Sequence, residues 1–346
     1  MRKFFAALLV GLLLASGAHA GPCPMSASVP CRRVPQLTIP LTTALPAGWT
    51  FTRSGATATY WANGTLVGPV AANVPRFESD ANGNLLGYLN EPAATNIYLN
   101  SQAPATQTIT VTAQAYTLSF YGTGTIALTG TYTGTLTGTG AANLVQLTFT
   151  PTAGSLITTL TGTVTNVQLE AGNFATSRII TAGASVARNA DNLTAPLSLY
   201  PWLQTPMGWS GAIRFTSLGN TQASSTKALE FSDGTTSNRV YLIYSLTPGY
   251  AQMSYVLSGN SQSGTGFLLS PSGNSFSWSV SQTGMTTSFN KGAAVLIANA
   301  GTPIKLTTVA VGRSSTSASL YYAEHVQSLT LRAGPSSAAW LQGGSY

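Results

Sequence analysis

The stretch from Phe51 to Ser101 reads FTRSGATATYWANGTLVGPVAANVPRFESDANGNLLGYLNEPAATNIYLNS, and it contains two turn signals. Asn63-Gly64 is the pair that best tolerates the positive φ angles of a two-residue type I′ turn, and it lies between Tyr60-Trp61 and Leu66-Val67. A second turn is predicted at Asp80 to Asn84. The stretch is therefore predicted to form two β-hairpins in tandem.

The chain that follows alternates apolar residues with threonine. In Thr108 to Thr112, Ile109 and Val111 alternate with threonines, as in a half-buried strand. Thr-Gly units recur from Ala127 to Gly140, and they predict paired strands with turns. Together with the patterns up to Leu169 they give about seven strands, which are enough for a jelly-roll-like sandwich.

A second series of strand patterns runs from Met207 to Leu331, after a linker-like stretch from Arg178 to Pro196. No pattern after residue 20 predicts a helix of any length. The sequence therefore predicts an all-β protein with two β-sandwich domains of jelly-roll or lectin-like type.

Charged residues are scarce: they make up 7% of the 346 residues, against about 25% in a typical soluble domain. The net charge is +7, and it falls to +5 without Arg2 and Lys3, because 13 basic residues then face 8 acidic ones. The remaining charges are scattered, whereas nucleic-acid binding needs a clustered basic face. We therefore expect no nucleic-acid partner. A weakly charged, threonine-rich sheet is also prone to edge-to-edge pairing, so we expect a homo-oligomer.

The first 20 residues have the form of a secretory signal. A short basic start precedes an apolar run from Phe4 to Leu14, and Ala18-His19-Ala20 is an A-x-A motif, so cleavage is expected after Ala20. The run is too short for a permanent membrane-spanning helix. A lipoprotein signal modified at Cys23 and an uncleaved hydrophobic anchor are the alternatives.

Residues 21–50 form a proline-rich arm, in which regular structure is not expected before about Thr50. The two cysteines of the chain, Cys23 and Cys31, both lie in it. In an exported protein they would close a small loop as a disulfide, and two free thiols are the alternative. A metal site would need two more ligands, and the mature chain has no histidine nearby.

The motifs of the opening stretch resemble a module of tailed-phage structural proteins. FTRS at Phe51, a tyrosine before an Asn-Gly turn, ANVPRF, a Gly/Leu hairpin, Glu91 and then Thr95-Asn96 follow one another as in tail-fibre, head-fibre and receptor-binding proteins of phages and prophages. Gln168 to Gly172 and the strand patterns before it extend the resemblance to Arg188. The resemblance implies a lectin-like sandwich, location in the virion, and bacterial surface polysaccharide and other virion proteins as partners.

The region from residue 189 resembles, by pattern, a concanavalin A-like or laminin-G-like sandwich. The predicted domains are thus a signal peptide at 1–20, the arm at 21–50, phage-type hairpins with a carbohydrate-binding-like sandwich at 51–188, and the second sandwich at 189–346. Most virion proteins assemble in the cytoplasm without a signal, so the predicted signal favours instead a secreted, extracellular protein of prophage origin.

Few residues offer catalytic chemistry. The mature chain would have one histidine, His325, and a Ser-His-Asp triad would have to use it. Its neighbour Glu324 would face the opposite way on a strand, and no G-x-S-x-G motif precedes it. His325 is therefore expected at the surface or at a strand end, and no enzymatic activity is predicted.

Carboxylates are the other catalytic candidates, since glycoside hydrolysis needs two of them across one cleft. The eight are Glu78, Asp80, Glu91, Glu170, Asp191, Glu230, Asp233 and Glu324. No pair lies in a recognisable catalytic context, but eight acids leave room for one. Glu91 and Glu170 match recurring positions of the phage module and are predicted to be structural. As buried carboxylates they would bond backbone N–H groups or an arginine such as Arg53 or Arg76.

A metal site is not predicted. Asp80 to Asn84 has the look of half a calcium loop, but its glycine is misplaced for an EF-hand and predicted strands flank it, so a turn is the better interpretation. A calcium site in the second sandwich is left open by the resemblance alone, because some laminin-G-like domains bind one. No other cofactor is predicted.

Aromatic residues are the predicted ligand-binding groups, since 6 Trp and 14 Tyr accompany little charge. Their rings can stack on sugar rings while Asn, Ser and Thr bond the hydroxyls. Loop-like contexts favour Tyr200, Trp202 and Tyr250 at the surface, and Trp61 and Tyr98 complete the predicted glycan-binding set. Most other rings are expected in the core.

The sequence as a whole predicts a non-enzymatic virion adhesion protein, of tail- or head-fibre type, that binds a bacterial surface glycan. An exported bacterial surface adhesin of prophage origin is the first alternative. A polysaccharide depolymerase is the second.

Overall fold

The computed structural model describes most of the chain after residue 33. The described residues are 34–203, 205–219, 226–244, 250–264, 266–270, 272–298, 305–316 and 322–343. The predicted signal peptide, its cleavage point after Ala20 and the predicted disulfide between Cys23 and Cys31 lie outside them. Within this part of the chain, no helix has the length and apolar character that crossing a membrane requires.

Seven short strands precede the first sandwich. They are β1 (Gln36–Pro40), β2 (Thr50–Thr52), β3 (Ala58–Ala62), β4 (Thr65–Val70), β5 (Phe77–Ser79), β6 (Leu85–Asn90) and β7 (Ala94–Asn96). β3 pairs with β4 and β5 pairs with β6, so the predicted tandem hairpins are confirmed. Asn63 and Gly64 have φ angles of 51° and 73°, the positive values that a type I′ turn requires.

Seven further strands build the first sandwich. They are β8 (Gln107–Val111), β9 (Tyr116–Gly122), β10 (Thr125–Gly130), β11 (Gly134–Thr137), β12 (Gly140–Phe149), β13 (Gly154–Thr161) and β14 (Val164–Ala171). One sheet has the order β11-β10-β13-β8 and the other has the order β12-β9-β14. Alternate residues of both sheets meet in one apolar core, with Ile109, Leu128 and Leu156 from the first sheet and Leu118 and Leu169 from the second.

The remaining elements follow the first sandwich. They are β15 (Val186–Arg188), β16 (Asn192–Pro196), β17 (Trp209–Gly219), β18 (Lys227–Ser232), β19 (Arg239–Tyr244), β20 (Tyr250–Leu257), β21 (Asn260–Ser263), β22 (Phe267–Leu268), β23 (Asn274–Ser281), β24 (Gly284–Phe289), β25 (Val295–Ala298), β26 (Thr308–Val311), β27 (Ala323–Ala333) and α1 (Ala338–Gly343). Short 3-10 turns occupy Leu197–Leu199 and Pro201–Leu203.

Two eight-stranded sheets form the second sandwich. One has the order β25-β24-β23-β17-β27-β6-β5, with β1 also paired to β27. The other has the order β2-β16-β26-β18-β19-β20-β21, with β22 also paired to β20. Side chains from both sheets share one core, in which the Trp209 ring packs edge-on against Phe231 and Trp278. The prediction of an all-β protein with β-sandwich domains is confirmed.

The hydrogen-bonded sheets cross the predicted division at residue 188. β6 pairs with β27 and so adds the β5–β6 hairpin to one sheet of the second sandwich, and β2 pairs with β16 of the other sheet. The sequence places these strands in the first domain, because a hairpin pattern carries no information about a partner strand far along the chain.

Regular structure also begins earlier than predicted. β1 pairs with β27 from Gln36–Arg332 to Pro40–Ser328, so the expectation of no regular structure before about Thr50 was wrong. Pro35 immediately precedes the strand and Pro40 is its last residue, so the residues between them keep their N–H groups for hydrogen bonding.

Candidate functional site

One sheet of the first sandwich presents an uncharged face to solvent. Along β8, β10, β11 and β13, alternate residues point into the core and those between them point outward. Nine of the outward residues carry a hydroxyl, and together they form what we call the threonine face. They are Thr108, Thr110, Thr125, Thr129, Thr135, Thr137, Ser155, Thr159 and Thr161.

The strand register aligns these hydroxyls in ranks across the sheet. Thr125 pairs with Thr137 on one side and with Thr161 on the other, and Ser155 pairs with Thr110. Neighbouring strands lie about 4.8 Å apart, and alternate residues of one strand lie about 6.7 Å apart. Hydroxyl and methyl groups therefore repeat in two directions over the face.

Threonine suits these positions because its β-branched side chain packs well on a pleated sheet. The residues between the threonines, such as Ile126 and Leu136, fill the core on the other side. Gly130 ends β10 with a φ of +88°, and a Cβ there would lie 2.3 Å from the carbonyl oxygen of Ser155. Glycine is therefore required at this end of the face, where β10 meets β13.

The threonine face has no electrostatic charge of its own. No charged residue occurs between Glu91 and Glu170, so its four strands contain none. Ala127 and Ile157 are the two other outward residues of these strands. In the described part of the chain, none of the nine hydroxyls hydrogen bonds to a protein group. Each keeps its donor and its acceptor lone pairs for a partner.

This chemistry is limited to hydrogen bonding and van der Waals contact. The face has no acid, base or metal ligand. Over the described ranges, no three His, Cys, Asp or Glu side chains come together as they would around a metal ion.

Two of the predicted glycan-binding aromatics are buried. Tyr98 is inaccessible, and its hydroxyl donates to the carbonyl oxygen of Ala105 at 2.8 Å. Tyr200 is 6% exposed, and its hydroxyl accepts a hydrogen bond from Trp49 Nε1 at 2.9 Å. Each side chain therefore belongs to a core, and the loop-like context that favours Tyr200 at the surface was misleading. Neither ring offers a stacking face to a ligand.

The other three predicted aromatics are half-buried. Trp61 packs against Tyr121 with ring centroids 5.3 Å apart, and Trp202 packs against Tyr200 at 6.1 Å. Tyr250 begins β20, in the second sandwich. Among the described residues, no ring contact joins Trp61, Trp202 and Tyr250 to one another, so they do not form one platform.

A buried ionic network contains the arginines that the sequence singles out. Asp191 lies 3.0 Å from Arg53 Nη1 and 2.5 Å from Arg76 Nη2. Glu91 Oε2 lies 2.8 Å from Arg76 Nη1 and 2.6 Å from Arg188 Nη1. All five side chains are at most 2% exposed.

The network holds Glu91 and Arg76 in their charged forms. Burial alone would raise the pKa of Glu91. The charges of Arg188 and Arg76, together with two hydrogen bonds from Ser177, lower this pKa to about 2. Burial alone would lower the pKa of Arg76, but Asp191 and Glu91 raise it above the ordinary value. Groups that stay ionised at neutral pH serve as a structural clamp rather than as an acid and a base.

Glu170, the other carboxylate with a predicted structural role, is buried beside Thr176. It accepts hydrogen bonds from Gln168 Nε2 at 2.6 Å, from Thr176 N at 2.7 Å and from Thr176 Oγ1 at 2.8 Å. Burial raises its pKa, although these hydrogen bonds lower it. Its hydrogen-bond partners are an amide, a backbone N–H and a hydroxyl rather than an arginine.

His325 was expected at the surface or at a strand end; it is buried, so the surface position was wrong, and it lies near the start of β27 as its third residue. Its Nε2 lies 2.6 Å from Glu78 Oε2, because the β5–β6 hairpin lies beside β27. Glu78 Oε1 accepts a hydrogen bond from the backbone N–H of Trp61. No hydroxyl or thiol in the described part of the chain hydrogen bonds to His325, so the pair is not part of a triad.

The four remaining carboxylates lie either in hydrogen-bonded turns or in buried positions. Asp80 is bonded by the backbone N–H groups of Asn82 and Asn84, which makes its loop the predicted turn. Asp233 is bonded within its own turn. Glu230 is buried and hydrogen-bonded. Glu324 is fully buried, neither of its oxygens has a hydrogen-bond partner among the described residues, and burial raises its pKa well above the ordinary value.

The sequence contains signals for the threonine face, although the face itself was not predicted. Alternation predicts β8, and the Thr-Gly run predicts β10 and β11 as paired strands. The absence of charged residues between Glu91 and Glu170 is also visible in the sequence. What the pattern lacks is the order of strands in the sheet, which brings the separate threonine rows onto one face.

Comparisons with known proteins give distant structural likenesses. No family model matches the chain, and no curated protein matches it. The CBM40 module of the Ruminococcus gnavus IT-sialidase, bound to α2,3-sialyllactose, is similar with a TM-score of 0.34 and 12% identity, over 42% of this chain and 88% of that chain. The NanB sialidase from Streptococcus pneumoniae has a TM-score of 0.35 and 10% identity, over 43% and 26% of the respective chains.

The receptor binding domain of botulinum neurotoxin type G is a third likeness, with a TM-score of 0.32 and 8% identity over 44% of this chain and 39% of that chain. The neighbours thus include carbohydrate-binding β-sandwich modules. At these identities and scores they identify no ligand for this chain.

Proposed function

We propose that this protein is a non-catalytic, glycan-binding adhesion protein, and that its threonine face binds a neutral polysaccharide. The observation that carries the proposal is the set of nine hydroxyls on an uncharged face, none of them hydrogen-bonded within the described part of the chain. A neutral polysaccharide presents hydroxyls that both donate and accept, directly or through water, so it can pair with such a face. The threonine methyl groups would contact the apolar faces of the sugar rings.

A second copy of this chain is the other partner that the face could meet. The fully buried cores of protein interfaces are apolar and rich in aromatic residues. Among the outward residues of these four strands, Ile157 is the one large apolar side chain. Burying nine hydroxyls without matched partners would cost free energy. The face therefore favours a hydrated, hydroxylated partner, and a homo-oligomer would form through other surfaces.

The placement of the carboxylates supports a non-catalytic function. Six of the eight are buried, and they lie in ion pairs, in hydrogen-bonded clusters or in a core. Asp80 and Asp233 are tied into their own turns. A depolymerase needs two carboxylates that reach one sugar from either side. This arrangement offers no such pair, which favours adhesion over the depolymerase alternative.

A more specific proposal for the adhesion protein is a role in a phage or prophage virion, with bacterial surface polysaccharide and other virion proteins as partners. The resemblance of residues 51–188 to tail- and head-fibre modules supports it. An exported adhesin of prophage origin is the alternative that the predicted signal favours. Mass spectrometry of the natural product would separate them, since a start at Gly21 in the medium means export and a start at Met1 in particles means a virion protein.

The glycan proposal is tested by affinity electrophoresis in gels that contain neutral or acidic polysaccharides. The triple variant Thr129→Val, Thr137→Val and Thr159→Val keeps the shape of the side chains and removes three hydroxyls. Three lost hydrogen bonds at about 0.5–1.5 kcal/mol each should weaken binding at least about tenfold.

The matched control replaces three exposed threonines away from the face, Thr50→Val, Thr65→Val and Thr150→Val. It should retard as the unchanged protein does. Equal retardation of the two triple variants would overturn the assignment of the face. Sedimentation of both variants measures their oligomeric state. A change of oligomeric state in the face variant alone would indicate that a second copy of the chain binds the threonine face.

A further inference from the structure

A second cluster of polar and aromatic side chains lies on the other sandwich. Lys227 and Glu230 belong to β18, and Arg239 and Tyr241 belong to β19. Their sheet turns alternate residues into the core, so Glu230 and Tyr241, which pair across the strands, lie on its outer side. The Nζ of Lys227 lies 4.2 Å from the centroid of the Tyr241 ring, and the Cζ of Arg239 lies 4.8 Å from it. Two cations therefore adjoin one ring.

The carboxylate of the cluster is already engaged. Glu230 Oε1 accepts hydrogen bonds from Ser315 N at 2.8 Å and from Ser315 Oγ at 2.6 Å. Its Oε2 lies 3.5 Å from Arg239 Nη1, at the long end of an ion pair. In the described part of the chain, no carboxylate lies within ion-pair distance of Lys227. The cluster thus holds two cations against one anion.

One end of the cluster is open to solvent. Lys227 is 3% exposed, whereas the Arg239 side chain is 17% exposed and Ser315 and Thr316 are half-buried. Arg239 donates to Thr316 Oγ1 at 3.4 Å, and its buried Nε has no hydrogen-bond partner in the ranges that the structure describes. Burial lowers the pKa of Lys227 to about 8, against a smaller opposing effect of Glu230. A buried ammonium without a paired carboxylate would be stabilised by an anion.

We propose that this cluster binds the carboxylate of an acidic sugar, between the ammonium of Lys227 and the guanidinium of Arg239. A single carboxylate would balance the surplus positive charge, and charge-assisted hydrogen bonds would orient it. The half-buried hydroxyls of Ser315 and Thr316 lie at the open end, where the hydroxyls of the sugar ring would sit. That the carboxylate belongs to a sugar rests on the proposed glycan-binding function. The preference for a carboxylate rests on the cluster alone.

The test is calorimetric titration of the full chain with D-glucuronate, its uncharged methyl ester and acetate. We expect glucuronate to bind at least about tenfold more tightly than the ester, because the ester lacks the charge. It should also bind more tightly than acetate, which lacks the ring. Lys227→Met should remove the preference for the acid, and Lys227→Arg should retain part of it. Lys291→Met, which removes an exposed lysine after β24, is the matched control and should change nothing.

Equal affinity for the acid and the ester, or no binding of either, would overturn the proposal. If acetate bound as tightly as glucuronate, the claim that the bound carboxylate belongs to a sugar would be overturned. If Lys227→Met does not fold, NMR titration of the Lys227 ammonium in the unchanged protein replaces it. Its pKa should rise with glucuronate and stay unchanged with the ester. The threonine-face triple variant should bind glucuronate normally, so failure at this cluster and failure of the proposed function are distinguishable.

Discussion

Arg76 and Asp191 lie 115 residues apart in the chain, yet Arg76 Nη2 and Asp191 Oδ2 are 2.5 Å apart and neither side chain is accessible to solvent. Arg76 immediately precedes β5, and Asp191 immediately precedes β16. Their contact therefore fastens the opening hairpins to the chain that leaves the first sandwich. The stretch from Arg178 to Pro196 was predicted to be a linker, but at Asp191 it forms part of a buried ionic junction.

Loss of the Asp191 charge should destabilise the protein strongly. Asp191→Asn leaves Arg53 and Arg76 with one carboxylate fewer in a buried site, and breaking a buried pair costs about 3–5 kcal/mol. Urea unfolding should show a loss of that order in the free energy of unfolding. Asp233→Asn is the matched control, because this carboxylate is half-buried in its own turn. Similar losses in the two variants would contradict a special role for the network.

Glu91 should make the protein sensitive to acid. Its pKa is about 2 in the folded protein, below the ordinary 4.5. A carboxylate with a pKa lowered by folding stabilises the protein fully above its unfolded pKa, and this stabilisation is lost as the pH falls through its folded pKa. The contribution is roughly 3 kcal/mol, from about 1.4 kcal/mol per pKa unit.

Urea unfolding of Glu91→Gln at a series of pH values checks this. The variant should be less stable than the unchanged protein at neutral pH, and the difference should shrink between about pH 5 and pH 2. A difference that stayed constant over this window would show that Glu91 does not carry the acid sensitivity.

Glu324 should act in the opposite direction. It lies between the core residues Tyr322 and Val326, and burial raises its pKa well above 4.5. A group with a pKa raised by folding contributes stability that is fully present below its unfolded pKa and is lost as the pH rises. The free energy of unfolding should therefore fall by up to about 1.4 kcal/mol per pH unit above pH 4.5.

Glu324→Gln is uncharged at every pH, so it should remove this slope and melt at a higher temperature than the unchanged protein at alkaline pH. Melting temperatures measured in steps from acid to alkaline pH would show it. Parallel curves for the two proteins would mean that Glu324 is ionised or hydrated in its site.

The sequence predicts local structure well here and predicts long-range pairing poorly. Asn63-Gly64 specifies its turn because few residue pairs accept two positive φ angles, and Ile109 and Val111 specify a strand by alternation. The burial of His325 could not be predicted in this way, because it depends on β6, which pairs beside it from the other end of the chain. The buried positions of Tyr98 and Tyr200 likewise depend on distant packing partners.

Asn90 makes the clearest of these long-range contacts, and Gly312 makes room for it. Asn90 Nδ2 donates to the carbonyl oxygens of Gly312 at 3.0 Å and of Tyr322 at 2.5 Å. A Cβ on Gly312 would lie 2.0 Å from the side-chain amide of Asn90, which these two hydrogen bonds hold in place. Gly312→Ala should therefore detach Asn90 and weaken the attachment of β6 to β27.

Gly334→Ala is the matched control, since Gly334 has a φ of +70° against +71° for Gly312 and a Cβ there would meet nothing within 4 Å. Both variants carry the strain of a positive φ, about 1–2 kcal/mol. Gly312→Ala should lose at least about 1–3 kcal/mol more, because it also leaves buried polar groups unpaired. Urea unfolding measures the difference, and hydrogen exchange at Leu89 and Asn90 should quicken in Gly312→Ala alone. Equal stability of the two variants would mean that Asn90 can move aside, and β6 would then be held by its strand pairing and not by this side chain.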